Sequence, residues 1–215
     1  MADHDHRYAT TTRPEVHGLL PSNGIRFLDI GCNDGGFGQW LIAQSPTREV
    51  WGIEPDAAQA QSARDKGLAN VVTGTFDDAR GNLPRDFDCV SFNHVLEHLV
   101  DPWSALSQTR DLMAPDACII AVIPNIRYLP FMIDLAFRGR FDYQDSGLLD
   151  RTHLRFFTRR SILQLFEVAG LDVEQILRVN GIASVRFPRL SRMLGMICGD
   201  SWYGSFAVRA RLPKR

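Results

Sequence analysis

A doubly wound α/β fold with a mostly parallel sheet is what this sequence predicts, and three observations predict it. Short apolar runs of strand length recur through residues 25–124, as buried parallel strands do. Stretches with apolar residues at helical spacing lie between them, so strands and helices alternate. The first run, "IRFLDI" at 25–30, passes directly into "GCNDGGFG", where Gly31, Gly35, Gly36 and Gly38 crowd together with Asp29 and Asp34. Glycine clusters of this kind mark a tight turn or a place where the backbone approaches something closely. A chain of 215 residues can bury one good core, so a single domain over 1–215 is expected. Its parts are an N-terminal segment at 1–20 and cover insertions at 126–152 and 180–203.

The elements follow in order. After the strand at 25–30, Phe37, Trp40, Leu41 and Gln44 have helical spacing. "EVWGIE" (49–54) is a second strand, and Asp56 can cap a small-residue helix running to Lys66. "ANVVTG" (69–74) and "DFDCVSFN" (86–93) are the third and fourth strands. Asp101 and Pro102 supply an N-cap and a first-turn proline to a helix carrying Trp103, Leu106 and Met113, which stops at "APD". "ACIIAVIP" (117–124) is the fifth strand. Residues 126–152 mix aromatics, glycines and charges without a clean period, as an irregular cover over a site would. Thr158 then caps a helix with Ile162, Leu165, Phe166 and Ala169 on one face and Gly170 at its end. "LDVEQILRV" (171–179) and "GSFAVRAR" (204–211) complete a sheet of seven. The long connection at 180–203 holds Leu190, Met193, Leu194 and Ile197 on one helical stripe, with Arg186, Arg189 and Arg192 nearby. Two uses of it are open: packing on the sheet or on a second copy in a homodimer, or reversible peripheral contact of 182–198 with an anionic membrane surface.

Composition excludes several function classes. With 45% apolar and 23% charged residues the chain reads as an ordinary soluble protein. No apolar run is long enough to span a membrane, and no charged-then-apolar leader opens the sequence. Cys32, Cys89, Cys118 and Cys198 are scattered without metal-site spacing, so reduced thiols in a cytoplasmic protein are expected and no metal site is. The net charge of −1 conceals an asymmetry. Residues 1–125 carry 9 Lys and Arg against 17 Asp and Glu, whereas residues 126–215 carry 15 against 8. The near-zero total and the absence of an appended basic domain argue against nucleic acid as a partner.

A strand, a glycine turn and a helix suit a nucleotide-like ligand, because bare backbone N–H groups can approach it at the carboxyl end of the strand. The dinucleotide pattern G-x-G-x-x-G fails, since its second position is Asn33. That disfavours an NAD-dependent oxidoreductase. Glu54 ends the second strand 23 residues after Gly31, where a carboxylate can accept both ribose hydroxyls. Asp77, in "GTFDD" after the third strand, can accept from an adenine amino group.

Taken together these stretches resemble the class I S-adenosylmethionine-dependent methyltransferases. "LDIGCNDGGFG", "VWGIEPD", "GTFDD" and "FDCVSFNHVLEHLVDP" are similar to the family's four successive motifs, in order and at the right spacing. "DRTHLRFFTRRSILQLFEVAG" (150–170) resembles the C-terminal signature of the subgroup with ubiquinone-type and sugar O-methyltransferases. The resemblance implies a Rossmann-like methyltransferase fold with a seven-stranded sheet, S-adenosylmethionine as cofactor and S-adenosylhomocysteine as product. It implies that Asp29 organises the loop and the amino end of the methionine moiety, and that Gly31 and Gly35 let backbone approach. Glu54 would hold the ribose and Asp77 the adenine, with Phe76 packing nearby. Cys32, Asn33 and Pro55 would join them in binding the cofactor, and Asn93 would line the sulfonium side. Asn33 and Asp34 stand where the family most often has Gly-x-Gly, so one of them must adopt the left-handed region, which both residue types tolerate.

Methyl transfer to an alcohol benefits from a base that titrates near neutrality, and histidine is the natural side chain. His153, beyond the cover and flanked by Asp150 and Arg151, is the first candidate, and His94 is the second. Glu97 and His98 are expected to be structural. Arg127, Arg151 and Arg155 lie on or beside the cover, and arginine suits bidentate recognition of phosphate or carboxylate. The expected acceptor is therefore an anionic small molecule or glycan precursor, such as a nucleotide- or lipid-linked sugar. Two alternatives stay open: an N-methyltransferase acting on an amine, which needs no base, and a cofactor-binding scaffold without catalysis.

Overall fold

The structure, a computed structural model, describes residues 11–182, 193 and 195–214. Seven strands form one sheet: β1 Arg26–Ile30, β2 Glu49–Glu54, β3 Asn70–Thr73, β4 Phe87–Asn93, β5 Met113–Pro124, β6 Asp172–Gly181 and β7 Tyr203–Arg211. The α-helices whose bounds are defined are α1 Gly36–Gln44, α2 Ala57–Asp65, α3 Phe76–Ala79, α4 Pro102–Thr109, α5 Leu129–Arg138 and α6 Arg159–Val168. The strand order is β3-β2-β1-β4-β5-β7-β6. β1 to β5 run parallel, and β7 pairs antiparallel with both β5 and β6. The order reverses between β1 and β4, which opens a crevice at their carboxyl ends.

Both faces of the sheet are covered, for the reason the sequence pattern gives. Alternate residues such as Leu28, Ile30, Val90 and Phe92 bury against α4 and α6 residues including Leu106, Ile162, Leu165 and Phe166. Phe27, Val50, Cys89, Ile120 and Val122 bury on the other side with Phe37, Leu41 and Ala63. The central β5 is buried continuously from Ala117 to Ile123, which is why it reads as an unbroken apolar run.

The local signals act as expected at three helix ends. Asp56 Oδ1 accepts from the backbone N–H groups of Ala58 and Gln59, Asp101 accepts from Ser104, and Thr158 forms a capping box with Ser161. Two expectations need correction. Met113 does not ride on the helix opened by Pro102; α4 ends at Thr109, a 3₁₀ turn covers Arg110–Leu112, and Met113 begins β5. The cover is not irregular throughout, since α5 occupies Leu129–Arg138. None of its residues is buried, although its apolar side chains gather on one side of the helix. Pro130 in its first turn and Gly139 beyond its end, at φ 61°, were the available signals.

After β6, Met193 and Gly195–Cys198 are helical and lead into a 3₁₀ turn at Gly199–Trp202 before β7. Met193 and Ile197 of the expected stripe are exposed there, while Leu190, Leu194, Arg186, Arg189 and Arg192 lie outside the described residues. Among the described residues, no helix is long and apolar enough to cross a membrane.

Candidate active site

The loop leaving β1 is tied to the end of β2. The backbone N–H groups of Gly31 and Cys32 both donate to the Ile53 carbonyl, at 2.8 and 3.1 Å. Glu54 continues the latch: Oε2 accepts from the Asn33 N–H at 2.9 Å and Oε1 from the Asp56 N–H at 3.0 Å. Asn33 takes the left-handed region with φ 51°, and Asp34 accepts from the Gly36 N–H at the mouth of α1. Asn33 is thus the residue of the Asn33–Asp34 pair that takes the left-handed region.

Gly31 and Gly35 are also required by close packing within the protein. A Cβ on Gly31 (φ 69°) would lie 2.6 Å from Val95 Cγ2, and one on Gly35 (φ 79°) would lie 2.7 Å from Ala63 Cα. These two glycines admit the protein's own α2 and the turn after β4 on their Cβ side. Cys32 is likewise committed inward. Its thiol is buried, its sulfur fills the space at Gly52, and burial beside Asp29 and Glu54 pushes it far above the usual thiol range.

A small cavity sits between this loop and β4, lined by Arg13, Asp29, Gly31, Asn33, Phe37 and Asn93 among others. Asp29 is buried, and Ser91 Oγ donates to it at 2.5 Å. Burial raises its carboxyl to about 6, against the pull of Ser91 and of the Arg13 charge. Both amide atoms of Asn93 and Oδ1 of Asn33 are buried without a hydrogen-bond partner. Unsatisfied buried polar atoms are rare in finished interiors, so this group awaits a polar ligand. The donors and acceptors fit the amino-acid end of S-adenosylmethionine: a carboxylate for its ammonium, a guanidinium for its carboxylate, and an amide between. Arg13 was not anticipated. It precedes the 3₁₀ turn Pro14–Leu19 with φ 53° and sits far from the motifs in sequence, so only the Arg-Pro step hinted at an ordered turn.

Glu54 is half-buried, and burial raises its carboxyl too. Each oxygen accepts one backbone bond, which leaves capacity for a diol. Pro55 beside it is exposed at the crevice rim. Phe76 is a core residue, its ring edge-to-face with Phe92 at 6.4 Å, so it shapes the wall from behind. Asp77 is exposed in the first turn of α3, 3.9 Å from Arg80.

The turn after β4 and the end of the cover carry the candidate histidines. His94 adopts φ 59° and its N–H donates to the Val122 carbonyl. Its Nδ1 meets Glu97 Oε1 at 3.1 Å, and Glu97 is only 1% exposed, with Oε2 lacking a partner. The Glu97 carbonyl accepts from the N–H groups of Leu154 and Arg155, so the same residue anchors the end of the cover. His153 Nδ1 donates to the Leu148 carbonyl at 3.0 Å, and His98 Nδ1 faces the Thr152 carbonyl at 3.2 Å. The His98 and His153 rings stand edge-to-face at 4.7 Å. The three arginines separate. Arg151 pairs with Asp145 at 2.7 Å, and Arg155 donates to the Val100 carbonyl while lying over the Trp103 ring. Arg127 alone of these lines an open cavity.

Comparison with known proteins agrees with this geometry. The family described as "Methyltransferase domain" matches residues 4–176. A "Ubiquinone biosynthesis O-methyltransferase" of Cereibacter sphaeroides (strain KD131) is 31% identical over 164 residues, covering 71% of this chain and 62% of that protein. The protein of the same description from Xylella fastidiosa is 24% identical and is covered to 67%. The chain thus spans a little under two thirds of the length of the Cereibacter relatives. In fold it is similar to a SAM-dependent methyltransferase from Archaeoglobus fulgidus, with a TM-score of 0.67 at 21% identity over 92% of this chain and 91% of that one. It is also similar to one from Mesorhizobium loti, with a TM-score of 0.63 at 17% identity over 92% and 96%. The chain belongs to the methyltransferase-domain family, within the class I S-adenosylmethionine-dependent methyltransferases, an enzyme family that uses S-adenosylmethionine as its cofactor.

Proposed function

We propose that this protein transfers the methyl group of S-adenosylmethionine to a hydroxyl of a small anionic acceptor, with His94 as general base. The observation that carries the reading is the His94–Glu97 pair at the carboxyl end of β4, next to the cavity that holds Asp29 and Asn93. Bound S-adenosylmethionine supplies an electrophilic methyl group on a sulfonium. Asp29 and Arg13 bind the charged ends of its amino-acid part, Glu54 its ribose and Asp77 its adenine. A carboxylate oxygen accepts, so His94 Nδ1 carries the proton and Nε2 keeps its lone pair. Nε2 would take the proton of the acceptor hydroxyl while, with the cofactor bound, the oxygen would gain the methyl group as its bond to sulfur breaks and S-adenosylhomocysteine leaves; buried Glu97 orients the ring and balances the imidazolium. His153 is tied to the cover through Leu148, which supports a positioning role for it.

The description of the relatives as O-methyltransferases supports oxygen over nitrogen. The excess of arginine in the C-terminal part supports an anionic acceptor, such as a nucleotide- or lipid-linked sugar. A second reading has its own observation: Phe131, Phe141, Tyr143 and Phe156 form an edge-to-face cluster beside His153, which favours an acceptor with an apolar or aromatic portion. Peripheral membrane contact through 182–198 and a homodimer remain proposals of the same rank; exposed Met193 and Ile197 are compatible with either.

The test has two steps. S-adenosylhomocysteine binding is measured by calorimetry, then methyl transfer is assayed on hydroxyl and amine acceptors with wild-type and His94→Ala protein. Binding with transfer to a hydroxyl that His94→Ala abolishes supports the reading. Transfer to amines that survives His94→Ala overturns the base, and binding without any turnover favours a scaffold.

A further inference from the structure

A second cavity, of about 260 Å³, opens where the end of β5, the start of α6 and the 3₁₀ turn before β7 converge. Arg127, Arg159 and Arg160 line it, together with Asn125, Thr158 and Asp200. None of the three guanidinium groups has a carboxylate or carbonyl partner among the described residues. Elsewhere in the fold Arg26, Arg151, Arg178, Arg209 and Arg211 are each paired with an acid. Asp200, the one acid of the lining, already receives Arg178 Nε at 2.7 Å. The lining therefore carries an excess of positive charge that no acid among the described residues pairs with.

The frame around it is fixed. Asn125 is fully buried; its Nδ2 donates to the carbonyls of Asp200 and Tyr203, and its Oδ1 accepts from the Arg127 N–H. The Ile126 N–H donates to the Phe157 carbonyl at 2.8 Å, which joins the end of β5 to the entry of α6. Thr158 caps the Ser161 N–H, whereas the N–H groups of Arg159 and Arg160 have no acceptor within the helix. Three unpartnered guanidinium groups around one rigid opening, with a helix entry beside them, form a receptor for a multivalent oxyanion.

We propose that this cavity binds the phosphate groups of the methyl acceptor and that the acceptor is a diphosphate ester. The proposal rests on the reading of the acceptor as anionic and gives that charge a place. Strand geometry makes the distance sensible. His94 pairs with Val122 of β5, and Asn125 lies three residues further along, about 10 Å at the rise of a strand. A diphosphate held at the arginines would present the group beyond it, a sugar in the simplest case, to His94.

Inorganic pyrophosphate is the first probe, titrated calorimetrically into cofactor-free protein at low and high salt. The expected result is saturable binding that weakens with salt. Arg127→Gln and the double variant Arg159→Gln with Arg160→Gln should each weaken it at least tenfold, while S-adenosylhomocysteine affinity and the circular dichroism spectrum hold. Uridine diphosphate and farnesyl diphosphate then identify the source of the phosphate. Tighter binding of the first than of pyrophosphate marks a nucleotide-linked acceptor, tighter binding of the second a lipid-linked one, and parity marks recognition of the diphosphate alone. Absent pyrophosphate binding, or binding unchanged in the folded variants, overturns the site. Because this readout needs neither cofactor nor turnover, its failure leaves methyl transfer to an uncharged acceptor standing, and failure of methyl transfer leaves the anion site standing.

Discussion

His94 Nδ1 and Glu97 Oε1 lie 3.1 Å apart across one turn after β4, with the carboxylate almost wholly buried and the imidazole partly exposed. A buried acid behind an accessible histidine fixes the tautomer and aims the far nitrogen outward. Removing the base, by His94→Ala, should lower kcat by about 10²–10⁴-fold while S-adenosylhomocysteine affinity is retained. Glu97→Gln should lower kcat less and leave KM for the cofactor unchanged. Steady-state kinetics on the two variants checks this, and full kcat in His94→Ala would remove the pair from the chemistry.

His153 should behave differently. Its Nδ1–H holds the Leu148 carbonyl and its ring packs on His98 and Phe156. His153→Ala is expected to raise KM for the acceptor more than it lowers kcat, because the cover loosens while the base stays in place. A kcat loss as large as that of His94→Ala, with KM unchanged, would instead make His153 the base.

Asp29 sets a pH dependence whose sign follows from burial. Its folded carboxyl titrates at about 6 against an ordinary value of 3.8. The cofactor-free protein therefore loses stability as pH rises from about 4 to 6, and stays lower above that window. Asp29→Asn should stabilise the cofactor-free protein at pH 7.5 by up to about 3 kcal/mol, with the gain gone near pH 4. The same variant should bind S-adenosylhomocysteine more weakly, and wild-type affinity should fall as pH drops below about 6. Urea midpoints and calorimetry across pH 4–8 decide both parts.

Glu54 has a double duty that shapes its mutants. The carboxylate offers itself to a diol while holding the Asn33 and Asp56 N–H groups. Glu54→Gln keeps one backbone acceptor and should weaken S-adenosylhomocysteine by about 1.5–3 kcal/mol, the range for hydrogen bonds to a charged group. Glu54→Ala should weaken it further and also lower the melting temperature, because the Asn33 turn loses its latch. Calorimetry with thermal unfolding separates the two contributions; equal affinity in wild type and Glu54→Gln would take Glu54 out of the ribose site.

Gly35→Ala tests what the glycine loop is for. A methyl group at φ 79° and 2.7 Å from Ala63 Cα forces α1 away from α2, so a loss of about 1–3 kcal/mol in stability is expected. Chemical denaturation reads it directly. An unchanged midpoint would mean that the two helices can separate freely.

The amino-acid sequence by itself determined the order and type of the sheet elements, the caps at Asp56, Asp101 and Thr158, and a left-handed residue at Asn33 or Asp34. Those features rest on local periodicity and on backbone chemistry within a few residues, which a sequence displays directly. It also marked Glu54 by its place at a strand end, and Asp29 and Asn93 through the family resemblance of their motifs. Tertiary structure decided the rest. Whether a glycine faces a ligand or Ala63, and whether an arginine faces a cavity or Asp145, depends on what a distant segment brings to the same place. Arg13 joined the Asp29 cavity, Glu97 turned its carboxylate to His94, and Arg127 met Arg159 and Arg160 only through folding. Side-chain partnership between remote residues is a property of packing, and no spacing along the chain encodes it.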